Sequence, residues 1–295
     1  MSRSLHRRPR VGLALSGGGA RGLAHIGVLK ALRNQGIPID LLAGTSMGGL
    51  IASGYAVGLS PEQMEEEALR MGRLRRLSSL MDRDLPRTGL FEGKRVQEYL
   101  ARTLGPVTFA DLRVPLGLVA VDLLQAEAVV LRNGSVVEAV RATISLPGIF
   151  APLRAGDRLL VDGGVLNNLP VDVVREMGAD VVIGVDVQTE ANGLHTLQDV
   201  GVEGNLLDQW RATLTTLRTC LVVMQQHLTE EKIALARPEV VIRPVMPKGV
   251  TILVGFNRAE EIIAAGEAAA EAALPEIERF AGPHAGPLAS TRWDD

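Results

Sequence analysis

The sequence predicts a three-layer α/β/α fold on a mostly parallel central sheet, and three observations lead there. Short apolar runs, Val11–Leu15, 116–121 and 181–187 among them, alternate with helical patterns, as buried parallel strands do. The runs starting at Val11 and Leu41 each end in a glycine-rich turn that leads into a helix. The 295 residues are 46% hydrophobic and 22% charged, which supplies a substantial core and excludes global disorder.

Taken in order, Val11–Leu15 is a strand, SGGGARG its exit loop, and 22–35 a helix closed by Gly36-Ile37-Pro38. A second strand (Leu41, Leu42, Ala43) runs into Gly44-Thr45-Ser46-Met47-Gly48 and a helix of small residues. Pro61 suits a helix start, and 62–77 is acidic first and basic later, as the helix dipole favours. A helix over 94–103 and a strand over 116–121 follow. Residues 128–134, with the Asn133-Gly134 turn, suggest a hairpin partner for that strand. A helix over 136–144 precedes SLPGIFAP, and the short strand 159–161 runs into Asp-Gly-Gly. Then come a helix over 171–177, the strand VVIGVDV, a long helix over 206–228, the strand VVIRPV and a last helix over 257–279. No linker divides the core. Residues 11–187 read as one core unit and 188–280 as a continuation packed on the same unit. Residues 1–10 and 281–295 read as flexible tails, and 190–204 as a mobile loop.

Composition narrows the function classes. A net charge of −3 and 3% aromatic residues give no case for nucleic acid. The single cysteine, Cys220, rules out an internal disulfide and a cysteine metal cage, and its apolar helical setting predicts that it is buried and inert. The five histidines show no metal-ligand spacing. The basic N-terminus lacks the apolar run and cleavage site of a signal peptide, and no 18-residue apolar span is present. The expected setting is cytoplasmic.

Gly44-Thr45-Ser46-Met47-Gly48 is G-x-S-x-G between a strand and a helix, the setting of a nucleophile elbow. There Gly44 and Gly48 remove Cβ atoms from a crowded turn, and the helix N-terminus faces charge forming near the hydroxyl. The plain alternative is that Ser46 only caps a helix. The glycine loop has its own alternatives. Amides clustered over Gly17, Gly18, Gly19, Ala20, Arg21 and Gly22 suit an anion. A phosphate loop would need G-K-[ST], which is missing. A dinucleotide site fits G-x-G-x-x-G, but its ribose acid, Asp40, precedes the second strand instead of ending it. An oxyanion hole for a carbonyl attacked by Ser46 is the third choice.

A serine nucleophile needs a base. His195 and His227 lie in polar, surface-like settings, and His25 sits behind the glycine loop in a structural position. Asp162 ends a strand before Gly163-Gly164, which permit close approach. A carboxylate beside a serine in a poorly solvated cleft can take its proton directly. Alone, the segment also reads as a local Asp-Gly-Gly turn. Asp122 and Asp186 end strands without ligand clusters and are expected to be structural.

Together SGGGARG, GTSMG and DGG resemble the patatin-like phospholipase family, with flanking text (GLAHIGVLKAL, ATISLPGIFAP, GGVLNNLPVDVV) similar to its bacterial branch related to neuropathy target esterase. The resemblance is strong over 11–187 and weaker through VVIRPV and the final helix. It implies a patatin-like, α/β-hydrolase-related fold and hydrolysis of fatty-acyl lipid esters through a Ser–Asp dyad, with no metal or organic cofactor. Carried over, Ser46 is the nucleophile and Asp162 the proton acceptor. Amides of Gly18, Gly19 and Ala20 hold the oxyanion, and Arg21 orders the loop, attracts a lipid phosphate or makes a structural ion pair. The partner implied is a lipid ester, with transient contact at the inner membrane surface. The segment from Pro61 to Asp84 is either a lid or interfacial patch, or an ordinary covering helix. Competing classes are a nucleotide-binding protein using Gly17–Gly22 and a regulatory member without catalysis.

Overall fold

The computed structural model describes residues 7–72, 91–188 and 206–282. Its strands are β1 (Val11–Leu15), β2 (Leu41–Thr45), β3 (Leu116–Asp122), β4 (Glu127–Leu131), β5 (Leu153–Ala155), β6 (Arg158–Asp162), β7 (Val181–Val185) and β8 (Val240–Ile242). They form one sheet in the order β5-β6-β3-β2-β1-β7-β8, with β4 paired to β3. The helices are α1 (Ala24–Asn34), α2 (Ser46–Val57), α3 (Pro61–Gly72), α4 (Lys94–Leu104), α5 (Val136–Thr143), α6 (Val171–Glu176), α7 (Leu206–Ala236) and α8 (Ala259–Ala281).

Strands β1, β2, β3, β7 and β8 are mutually parallel, and their residues are almost all buried, which is why their sequences are apolar without alternation. Alternation decides the face instead. Leu13 and Leu15 pack with α1, α2 and α8, whereas Ala14 points to the opposite face, among Val171, Val173 and Val174 of α6. The result is helices on both sides of the sheet.

Register brings the three motif segments together. Leu15 pairs with Gly44, so the exits of β1 and β2 are neighbours. On β3, β4 covers one edge from Leu118 to Asp122. Strands β2 and β6 therefore share the other edge: Thr45 lies opposite Val119 and Asp162 opposite Ala120. One strand runs parallel and the other antiparallel, so their C-terminal ends meet head-on at successive positions of β3.

Several expectations change. Leu123–Ala126 turn β3 into β4, so Asn133-Gly134 follows the hairpin strand and does not close it. Strand β5, unforeseen, is a three-residue partner of β6. The long helix runs on to Ala236. Cys220 is exposed, because this part of α7 packs little; Leu217, Leu221 and Met224 beside it are exposed as well. Residues 7–10 are held rather than loose: Arg8 pairs with Asp40, and the Arg10 amide donates to Asp180. The last helix reaches Ala281. Residues 73–77 of the 62–77 helix, the second half of the Pro61–Asp84 segment, the 190–204 loop with His195, and 283–295 lie outside the described residues.

Candidate active site

Ser46 is the first residue of α2 and holds a left-handed backbone, φ 54°, which a residue with a Cβ adopts at a cost. The turn is tight enough that a Cβ on Gly48 would run into the carbonyl oxygens of Leu15 and Ser16. Two hydroxyls hold the elbow from either side. Thr143 Oγ1, at the end of α5, accepts the Ser46 amide at 2.9 Å and donates to Val119 O at 2.5 Å. Thr45 Oγ1 donates to Asn167 O at 2.8 Å.

The Ser46 hydroxyl donates to Asp162 Oδ2 at 2.6 Å. The other carboxylate oxygen, Oδ1, accepts the Gly164 amide at 2.8 Å. Asp162 is 2% exposed. Burial pushes its pKa up to about 6 against the opposing pull of the Ser46 and Gly164 hydrogen bonds. Among the described residues no cation contributes to that balance. The carboxylate is thus largely ionised at neutral pH yet unusually basic, which suits an exchange of protons with a hydroxyl.

The glycine loop lies against the serine: a Cβ on Gly17 would sit 3.1 Å from Ser46 Cβ. The loop is pinned at its ends. Ser16 donates its amide to Val185 O and accepts the Val187 amide on its hydroxyl. Gly17 N donates to Asn168 O, Ala20 N to Ile252 O and Arg21 N to Gly18 O, while Gly22 lies inside a 3-10 turn. The amides of Gly18 and Gly19 meet no acceptor among the described residues. Ala20 therefore drops out of the expected donor set, because its amide is occupied. Arg21 Nε reaches Val250 O at 3.3 Å, which ties the loop to the segment before α8.

His25 is fully buried and bonds through Nε2 to Ser16 O at 2.8 Å. A carbonyl acceptor requires the proton on that nitrogen, leaving Nδ1 unpartnered. Burial depresses its pKa to about 4, so it is a neutral brace behind the loop. His227 is exposed, beside Glu231. Asp122 accepts the amides of Leu124 and Leu159, and Asp186 accepts that of Gln188 and pairs with Arg243, so both do structural work. Asp40 accepts the Val11 amide at the start of β1, at the far end of the sheet from the glycine loop. That placement removes the ribose-binding acid of a dinucleotide site.

A cavity of about 310 Å³ opens beside Ser46 and Gly19 and is lined by Leu23, Met47, Leu50, Met64, Leu100 and Phe150 among others. Its wall is almost wholly apolar, with Ser46, Glu67, Tyr99 and Thr103 the polar exceptions. A second hollow between α6 and α7, about 350 Å³, is bordered by Lys232, which pairs with Asp172 of its own lining, and by Arg175, which pairs with Glu239 outside it. Among the described residues no group of three His, Cys, Asp or Glu side chains is placed to hold a metal.

Sequence reasoning assigned no role to Thr143, Asn167, Asn168 or Gln225. The first three lie in text already similar to the family, ATISLPG and GGVLNNLP, and that similarity was the available signal.

The family model for patatin-like phospholipases matches residues 13–175, more than half of the chain, and spans Ser46, Asp162 and the glycine loop. The chain belongs to the patatin-like phospholipase family. Its curated relatives include an uncharacterized NTE family protein of Mycobacterium tuberculosis, 36% identical over 204 residues, which cover 68% of this chain and 54% of that one. Another NTE family protein, from Mycobacterium bovis, is 33% identical over 284 residues, 91% of this chain and 48% of the relative. Human patatin-like phospholipase domain-containing protein 6 is 36% identical over 204 residues, 68% of this chain but 14% of that protein. The chain thus spans about half the length of the mycobacterial relatives. Among solved structures, VipD from Legionella pneumophila shares the patatin-like fold, with a TM-score of 0.50 at 13% identity, over 93% of this chain and 67% of that one.

Proposed function

We propose that this patatin-like chain is a serine acyl hydrolase that cleaves fatty-acyl esters of (lyso)phospholipids or related lipids through a Ser46–Asp162 dyad and an acyl-enzyme. The observation that carries this reading is the 2.6 Å hydrogen bond to a buried, basic carboxylate from the Oγ of Ser46, which lines an apolar cavity.

In the first half-reaction Asp162 takes the Ser46 proton as Oγ attacks the ester carbonyl. The amides of Gly18 and Gly19 hold the oxyanion, and Gly19 lines the cavity beside Ser46. Protonated Asp162 then returns the proton to the departing alcohol, leaving the acyl group on Ser46. In the second half, Asp162 takes a proton from water, the hydroxide attacks the acyl-enzyme, and the proton goes back to Ser46 as the fatty acid leaves. With the ester and one water as the reactants, both steps balance, and Asp162 alone carries the proton between them. The apolar cavity takes the acyl chain, and each methylene it buries contributes about 0.8 kcal/mol. Among the described residues no helix is long and apolar enough to cross a membrane.

The test is a lipid-class screen of the wild type against Ser46→Ala. Release of fatty acid from one or more ester classes that disappears in the variant is expected. Equal release by both proteins would remove Ser46 from the mechanism.

A further inference from the structure

Gln225 lies on α7, beyond the residues that the family model matches, and belongs to none of the three sequence motifs. Its Nε2 donates to Gly164 O at 2.7 Å and to Asn168 Oδ1 at 3.1 Å, and its Oε1 accepts Gln188 Nε2 at 2.5 Å. This pattern fixes which way the amide points, because a flipped Gln225 would set its oxygen against two acceptors. The chain of donors continues from Asn168 Nδ2 to Gly17 O at 3.4 Å, and the Asn168 carbonyl accepts the Gly17 amide at 3.1 Å. Gly164 in turn donates to the Asp162 carboxylate. A single side chain is therefore one residue removed from the carboxylate on one side and from the glycine loop on the other. The fit at Gly164 is close: a Cβ there would collide with Gln225 Nε2.

We propose that Gln225 is a positioning residue that locks the Asp162 loop and the glycine loop into a common register, setting the proton acceptor and the oxyanion donors together. The proposal rests on the reading of Ser46, Asp162 and the glycine loop given above. Its physical content is that these loops leave different strands, β6 and β1. Nothing in the sheet ladder beyond their last residues fixes the distance between them to the few tenths of an ångström that catalysis requires. Gln225 Nε2 donates twice within the Asp162 loop, to Gly164 O and Asn168 Oδ1, and so steadies Asn168, whose own bonds to Gly17 tie that loop to the glycine loop. A helix anchor of purely structural value would change stability and leave the chemistry of each folded molecule alone.

The experiment compares the full-length wild type with Gln225→Met, which keeps the length of the side chain and removes both donors, and Gln225→Glu, which keeps its shape. Turnover of the soluble ester p-nitrophenyl butyrate is measured from pH 4.5 to 8, with kcat expressed per site titrated by a fluorophosphonate. For Gln225→Met the expected result is a fall in kcat of roughly tenfold or more with KM within about twofold. Its acidic limb should also move upward by about half a unit, because a loosened Gly164 amide supports the ionised Asp162 less well. Gln225→Glu should move the limb further in the same direction, since it adds a negative charge two bonds away in the network, and it keeps the test open if the methionine variant does not fold. An unmoved limb overturns the proposal, whether kcat holds or falls, because a fall alone is what damaged packing would give. Wild-type turnover that survives Ser46→Ala would overturn the site reading itself, and this outcome is visible before any Gln225 variant is made.

Discussion

Ser46 and Asp162 each hold a state that the unfolded chain would not choose, and the two strains have separate signatures. At φ 54° a glycine is more comfortable than a serine, while alanine keeps the strain and loses the hydroxyl. Ser46→Gly should therefore be more stable than Ser46→Ala by about 1 kcal/mol in urea titrations, with both inactive. Asp162 carries the pH dependence. Its folded pKa, near 6, is raised above the ordinary 3.8, so the stability tied to its protonated form is complete below 3.8 and lost as pH rises through 6. Activity runs the other way, because only the ionised form accepts the serine proton: kcat/KM should rise along a limb near pH 6. Asp162→Asn should abolish turnover yet be more stable than the wild type at pH 7, by roughly 1–3 kcal/mol, with the gap closing toward pH 4. His25 has the opposite slope. Its pKa falls from 6.5 to about 4 on folding, so its contribution is complete above 6.5 and lost as pH drops toward 4. Between pH 4 and 6 the two groups offset each other, and thermal melts of Asp162→Asn should show a steeper loss on acidification than those of the wild type.

Elements place these residues, and here the reading from sequence was partial. Strand β2, its elbow and helix α2 are legible because the motif is local: an apolar run, two glycines flanking a serine, then small residues. The glycine loop is legible for the same reason. What local text does not carry is that Asp162 arrives on an antiparallel hairpin strand. β5 is only three residues long, and two of them are exposed, so it offers no periodic signal. The apolar stretch around Cys220 predicts burial, but apolar residues on a helix need not face a core, and α7 leaves Leu217, Leu221 and Met224 in solvent. The pairing of α1 with α8 rests on close backbone approach that no pattern announces. A Cβ on Gly27 would strike Ile263 O, and one on Gly266 would strike Ala24 O. Gly27→Ala or Gly266→Ala should cost about 1–3 kcal/mol in denaturant titrations, and turnover per folded molecule should be retained.

At the scale of the whole molecule, the site is a meeting of exits. β1 delivers the amides, β2 the hydroxyl and β6 the carboxylate, and the shared edge of β3 makes the last two neighbours. Three motifs in one chain suggested that convergence, but the contacts that hold it, Thr143 to Ser46, Asn167 to Thr45 and Asn168 to Gly17, link residues about 100 to 150 positions apart. Such bonds have no periodicity and no spacing rule, so they become visible only in three dimensions. The apolar cavity is likewise assembled from separate segments, with α2, α3, α4 and the stretch before α8 all contributing walls. A fluorophosphonate followed by peptide mapping tests this convergence most directly. The expected result is one covalent adduct, on Ser46, which forms far more slowly in Asp162→Asn than in the wild type. An adduct on another residue, or labelling of Ser46 at the same rate without the carboxylate, would contradict it.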